Sequence, residues 1–218
     1  MRPKVRKGKS MTSADGKAVS FAGRRRMLAL GVAGIAGSLT GFSSSAQNSP
    51  WGQLDVPYQP SPQPVVDKML VLAAVNKNDL LYDLGCGDGR IVITAARQYG
   101  ARGVGIDLDP QRIVEAKANA KQAGVEDRVK FIVGDLYASD FSDATVVTLF
   151  LWPQVNLKLR PILWRQLKPG TRVVSHLWDM GPEWPPEKTV QVQDRKIHYW
   201  TITEAQKQAV EKQGKHGS

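Results

Sequence analysis

Leu80-Leu-Tyr-Asp-Leu-Gly-Cys-Gly-Asp-Gly-Arg90 reads as a buried strand that runs into a glycine-rich turn and then a helix, and the rest of the chain is ordered around it. Leu80 to Leu84 is a short apolar run broken by Asp83. Gly85, Gly87 and Gly89 follow, and Ile91-Val-Ile-Thr-Ala-Ala-Arg97 is compatible with a helix. Glycine is required where backbone turns tightly or lies against a ligand. A dinucleotide fingerprint would read G-x-G-x-x-G, but here the spacing is G-x-G-x-G and Arg90 takes the place of the last glycine. Asp83 and Asp88 flank the loop and would repel a pyrophosphate. A ligand carrying an ammonium or sulfonium group suits it better.

Outward from the loop, Asp107 lies 18 positions beyond Gly89 and closes the apolar run Gly103-Val-Gly-Ile-Asp107. That is about where a second-strand acid grips ribose hydroxyls. A third strand ends at Phe131-Ile-Val-Gly-Asp135-Leu136, again on an acid. This constellation resembles the first three motifs of the class I S-adenosylmethionine-dependent methyltransferases, over roughly residues 64–203. The resemblance implies that Asp83, with the backbone of Gly85, Gly87 and Gly89, holds the methionine part of S-adenosyl-L-methionine. It further implies that Asp107 takes the ribose hydroxyls, that Asp135 meets the adenine amino group, and that Leu136 packs beside it. A Rossmann-like domain binding NAD or no ligand is the competing reading, which the glycine spacing disfavours.

Strand and helix signals alternate through the domain. Val65–Val75 is a helix candidate, Gly100 closes the first crossover helix, Asp109-Pro110 opens the next and Gly124 ends it. Residues 129–133 and 144–151 supply the third and fourth strands, 156–167 a helix, and 172–177 the fifth strand. Residues 189–193 and 196–203 alternate around Asp194-Arg195 as a hairpin. The expected fold is therefore α/β, a Rossmann-like doubly wound, mostly parallel seven-stranded sheet with an antiparallel C-terminal hairpin. The domain spans 64–204, and 205–218 reads as a polar tail.

The chain carries a net charge of +10, but residues 1–46 hold nine Lys/Arg against Asp15 alone. That segment accounts for +8, leaving 10 − 8 = +2 for everything after it. A near-neutral domain gives no reason to expect a nucleic-acid groove. Cys86 is the single cysteine, so no internal disulfide exists, and His176, His198 and His216 are scattered, so no metal is expected.

Within 1–46, Arg24-Arg25-Arg26-Met27-Leu28 leads into a glycine-diluted apolar stretch of about 16 residues, shorter than the ~20 a membrane span needs. This resembles a twin-arginine export signal. The expected partner is the export machinery, and the expected place is exported, in the periplasm, or anchored in the membrane facing outward if the signal stays uncleaved. Residues 47–63, rich in proline, form either a linker or a segment that covers the pocket, with Tyr58 folding over the cofactor.

The acceptor belongs at the exit of the fourth strand, Phe150-Leu-Trp152-Pro153. Amide and nucleobase methyltransferases carry Asn/Asp-Pro-Pro-Tyr there, and this chain does not. An amine is therefore the expected acceptor, on a protein lysine or a small molecule. Tyr58, Trp152, Trp178 and Trp184 are candidates for an aromatic wall around it. His176 and Asp179 are candidate general bases. Read with their flanks, Pro57-Tyr58-Gln-Pro-Ser-Pro, Gly87-Asp-Gly-Arg-Ile-Val-Ile93, Val146–Leu151 and Leu167-Lys-Pro-Gly-Thr-Arg-Val-Val-Ser175 resemble the lysine methyltransferases that modify the c-type subunit of ATP synthase, and their bacterial relatives. A small-molecule methyltransferase and a non-catalytic S-adenosylmethionine-binding module remain the alternatives.

Overall fold

Seven strands form one sheet in the order β3-β2-β1-β4-β5-β7-β6, as seen in a computed structural model that describes residues 59–215. The strands are β1 (Leu80–Leu84), β2 (Arg102–Asp107), β3 (Val129–Val133), β4 (Val146–Leu149), β5 (Arg172–His176), β6 (Lys188–Val192) and β7 (Arg195–Thr201). The first five pair in parallel, while β7 runs antiparallel to both β5 and β6. This is the expected sheet and hairpin. Tyr58 and the 1–46 segment lie outside the described residues, as does most of the proline-rich stretch.

Helices α1 (Gln63–Leu72), α2 (Arg90–Tyr99), α3 (Pro110–Gln122), α4 (Pro153–Gln166) and α5 (Glu204–Lys215) complete the chain. The strand alternation sorts the core into two layers. Leu81, Val146, Val174 and Ile197 meet Val65, Met69 and Leu70 of α1 and Ile91 and Val92 of α2 on one face. Tyr82, Leu84, Val147, Leu149, Val173 and Trp200 meet Leu159, Leu163 and Trp164 of α4 on the other. Because both faces are covered, β1 and β4 are apolar nearly throughout instead of alternating with polar residues.

Apart from shifts of one or two residues at strand and helix ends, three differences from the sequence reading have a local cause. α1 stops at Leu72 because Ala74 takes a left-handed backbone, φ 49°, and the Val75 N–H donates to the Leu70 carbonyl at 3.1 Å. That is the capping geometry glycine usually supplies. α4 begins at Pro153, the first helical position after Trp152, instead of at Asn156. The expected polar tail is the helix α5. Its start carries the capping-box sequence Thr203-x-x-Gln206, and the Gln206 side-chain oxygen accepts from the Thr203 N–H at 2.9 Å and from the Thr203 hydroxyl. Ala209 and Val210 then rest on the α4 side of the core.

The strand order reverses between β1 and β4, where β1 has β2 on one side and β4 on the other. In register, Asp83 lies opposite Gly105 of β2 and Thr148 of β4. A ligand cleft opens at such a switch point, beyond the carboxyl ends of the strands.

Candidate cofactor cleft

Asp83, Gly85, Gly87, Asp107, Asp135 and Leu136 line one cleft at the switch point, so the structure brings these predicted cofactor residues together. The loop conformation follows from its glycines. Gly85, Gly87 and Gly89 all have left-handed φ, at 83°, 52° and 79°. Gly89 caps α2 from beneath the loop, and a Cβ there would sit 2.7 Å from the Phe131 ring. An L side chain would suffer both the backbone strain and the collision. At Gly85 a Cβ would lie 2.8 Å from Leu151 Cδ2.

Each acid is placed by a different device. Asp83 is buried at the end of β1, and its Oδ1 accepts from the Thr148 hydroxyl at 2.8 Å. Burial pushes its carboxyl up to about 8, the Thr148 hydroxyl opposes this, and the nearby Asp107 and Asp88 charges add to it. Asp107 ties strand to loop, since Oδ2 accepts the Gly87 N–H at 2.8 Å and Oδ1 the Asp109 N–H at 3.0 Å. Burial raises its pKa too, while those two N–H bonds pull it down. Asp135 accepts the Tyr137 N–H at 2.8 Å, which turns the chain back under Leu136. Burial also pushes the Cys86 thiol up, so it is a neutral, inert filler under the loop.

This donor set fits S-adenosylmethionine. Asp107 still has acceptor capacity for ribose hydroxyls, and an ionised Asp83 suits a cation. The left-handed loop lets backbone approach without side chains in the way.

The aromatic candidates separate. Trp184 belongs to the core, 4% exposed, edge-on to Trp164 at 5.6 Å and 5.5 Å from Trp200. It is not part of an acceptor wall. Trp152 is the N-cap of α4 and is 46% exposed, between Leu151 and Val155, which line the cleft. Its own side chain is exposed and is not among the residues that line the cleft. Trp178, also exposed, follows a strained turn: Leu177 has φ 72°, and the Trp178 N–H donates to the His176 carbonyl at 2.9 Å. Asn156 of α4 holds that turn, donating to the carbonyls of Trp178 and Asp179, both at 3.2 Å. The Asn156 N–H donates to the Trp152 carbonyl at 3.0 Å, so the two exposed tryptophans extend from backbone on either side of one buried residue.

His176 is not a base facing the cleft. It is fully buried, its Nδ1 hydrogen-bonded to Ser61 Oγ at 2.8 Å, and its ring lies on Phe150 with centroids 3.9 Å apart. Burial, with the Arg195 charge, lowers its pKa to about 4, so the imidazole is neutral near pH 7. Asp179 is exposed and accepts the Gly181 N–H at 2.9 Å. Sequence reasoning missed Ser61, Arg90 and Tyr137, which also line the cleft.

Comparison with known proteins agrees with this geometry. The family described as the ANTKMT methyltransferase domain matches residues 83–188. A protein-lysine N-methyltransferase of Saccharolobus islandicus is 46% identical over 145 residues, 66% of this chain and 89% of that protein. The human lysine N-methyltransferase of the ATP synthase c-type subunit is 32% identical over 132 residues, 61% of this chain but only 55% of its own length. Among solved structures, an RNA methyltransferase from Salinibacter ruber in complex with S-adenosyl-L-homocysteine is 60% identical, with a TM-score of 0.66, over 67% of this chain and 95% of that one.

Proposed function

The chain belongs to the ANTKMT-type S-adenosylmethionine-dependent methyltransferases, and from that premise we propose that its methyl acceptor is the side-chain amine of a protein lysine. The observation that carries the acceptor is the relative from Saccharolobus islandicus, a protein-lysine N-methyltransferase of which this chain covers 89%. The S. ruber structure, described as an RNA methyltransferase, favours a second reading, an RNA acceptor. The charge distribution weighs against it. Everything after residue 46 carries only +2, and RNA affinity rests on a concentration of basic side chains.

When bound, S-adenosylmethionine supplies a methyl group already activated by its sulfonium. The chain's own task is alignment and exclusion of water. Asp83, the glycine loop, Asp107 and Asp135 would hold the donor, and Phe150, Leu151 and Val155 line the cleft as an apolar wall near the exit of β4. A lysine arriving there must lose its proton, from a pKa near 10.4, and an apolar aromatic rim disfavours the charged form. Trp152 supplies that rim.

The test incubates labelled S-adenosylmethionine with the purified chain and cell extract, then treats the products with protease or ribonuclease. Label that survives ribonuclease and maps to lysine supports the reading, and label removed by ribonuclease replaces it with the RNA acceptor. Trp152→Ala should lower methyl transfer roughly tenfold, as a rise of about one unit in the lysine pKa on losing the desolvating rim would give, and leave cofactor affinity unchanged. Equal loss of both, or of neither, reduces Trp152 to packing.

The segment 1–46 is proposed to direct the domain outward through the twin-arginine route, with membrane attachment if it stays uncleaved. Support comes from Arg24-Arg25 and from +8 of charge ahead of a weakly apolar stretch. Among the described residues no helix is long and apolar enough to cross a membrane. The cofactor is made in the cytoplasm. Export in the folded state would carry one bound molecule out, and sustained turnover outside would need a further supply. Fractionating cells that express the native chain or the Arg24→Lys/Arg25→Lys variant decides the matter: the native chain is expected outside the cytoplasm and the variant inside. Both forms wholly cytoplasmic and uncleaved would refute export.

A further inference from the structure

We infer that Ser61 is a positioning residue of the cofactor cleft, latching the segment before α1 onto His176 and Arg90 so that this segment forms a wall that retains bound cofactor. Gln59, Pro60 and Ser61 line the same cleft as Asp83 and Asp107, although they precede α1. A short segment ahead of a helix is ordinarily solvated, yet Ser61 is only 4% exposed. Two bonds to distant parts of the chain hold it. Its hydroxyl meets His176 Nδ1 at 2.8 Å, 115 residues away, and its carbonyl accepts from Arg90 Nη1 at 3.0 Å. Arg90 is in turn gripped by Asp88 of the glycine loop, with Nε 2.9 and 3.1 Å from the two carboxylate oxygens. The wall is therefore fastened to both sides of the switch point, to the loop after β1 and to the end of β5.

The chemistry of His176 points the same way. A neutral imidazole buried with one nitrogen unpaired is a costly way to fill space, and Nε2 has no partner among the described residues. An apolar ring would pack on Phe150 without that cost. What the histidine adds is the bond to Ser61. Phe150 lines the cleft with its ring against His176, so the latch and the apolar wall share one support. Pro60 and Pro62 restrict the backbone on either side of Ser61, which lowers the entropy lost when the latch closes. Release of bound cofactor then requires the Ser61 bonds to open first.

The test uses the full chain and S-adenosyl-L-homocysteine, so its outcome does not depend on the acceptor. Ser61→Ala should weaken binding about fivefold, the worth of one hydrogen bond, with the change in the dissociation rate, while Ser61→Thr retains the parent affinity. His176→Phe, which keeps a ring on Phe150, should lose the same factor, and the double variant should lose no more than either single one. Thermal melts establish that each variant is folded. If His176→Phe fails to fold, the contrast between Ser61→Ala and Ser61→Thr decides alone. Unchanged dissociation in folded Ser61→Ala, failure of threonine to rescue, or additive losses in the double variant would overturn the latch.

Discussion

Asp107→Ala will weaken binding of S-adenosylhomocysteine by about 1–3 kcal/mol, a loss of roughly 5- to 150-fold, because it removes a half-buried acceptor that several donors share. The carboxylate already accepts from the Gly87 and Asp109 N–H groups, and both bonds disappear with it. Gly87 sits at φ 52° in the middle of the loop, so the substitution loosens the strand-to-helix turn as well as the ribose contact. Asp107→Asn is informative beside it. An amide accepts from one N–H but turns its own N–H₂ toward the other, so it should recover little of the loss. Calorimetry with the parent and both variants reads the result. Full affinity in the alanine variant would remove Asp107 from the cofactor site.

The cofactor end of the cleft was legible in the chain because charge at the end of an apolar strand is conspicuous. Asp83 and Asp107 each follow a run of buried residues, Asp135 follows the apolar end of β3, and the glycines between Leu84 and Arg90 announce the turn without reference to anything distant. The mostly parallel sheet followed from strand-helix alternation, and the hairpin from the alternating residues around Asp194-Arg195, for the same local reason. What escaped depends on partners far away in sequence. Whether His176 faces solvent or core is decided by Ser61 and Phe150, and no pattern around Ser175-His-Leu-Trp-Asp179 carries that information. Trp152 and Trp184 look alike as residues, yet the loop after β5 folds Trp184 inward, where its carbonyl accepts from Trp200 Nε1 at 2.9 Å. Trp152, at the N-cap of a helix that follows a strand exit, stays exposed.

The C-terminal helix was legible in principle. Lys and Gln dominate 205–218, which reads as a solvated tail, but Thr203-x-x-Gln206 is a capping box and Ala209-Val210 offers an apolar face. The end of α1 was not legible at all, since Ala74 adopts a left-handed backbone that no glycine announces.

Cofactor affinity will rise with pH up to about 8 and then level off, because the buried Asp83 must lose its proton to meet a cation. Folded Asp83 keeps its proton to about pH 8, while an unfolded aspartate loses it near 4. Between those values the folded apo chain binds the extra proton. Its contribution to stability is thus fully present below about pH 4 and is lost as the pH rises through 8. A bound ammonium or sulfonium stabilises the carboxylate and pulls the pKa back down, so binding below pH 8 must release a proton. Affinity should climb about tenfold per pH unit between roughly pH 6 and 8 where the release is complete. Asp83→Asn removes the titration and keeps the shape, and its amide N–H₂ or oxygen still meets the Thr148 hydroxyl. The variant should bind S-adenosylhomocysteine nearly as well as the parent at pH 6 and far more weakly at pH 8.5. The ligand's own ionisation is common to both proteins, so the difference between their pH curves isolates Asp83. Calorimetry in buffers of different ionisation enthalpy counts the released proton directly. Parallel curves, or no proton released by the parent at pH 6.5, would show that Asp83 is already ionised in the free chain or lies away from the cationic end of the ligand.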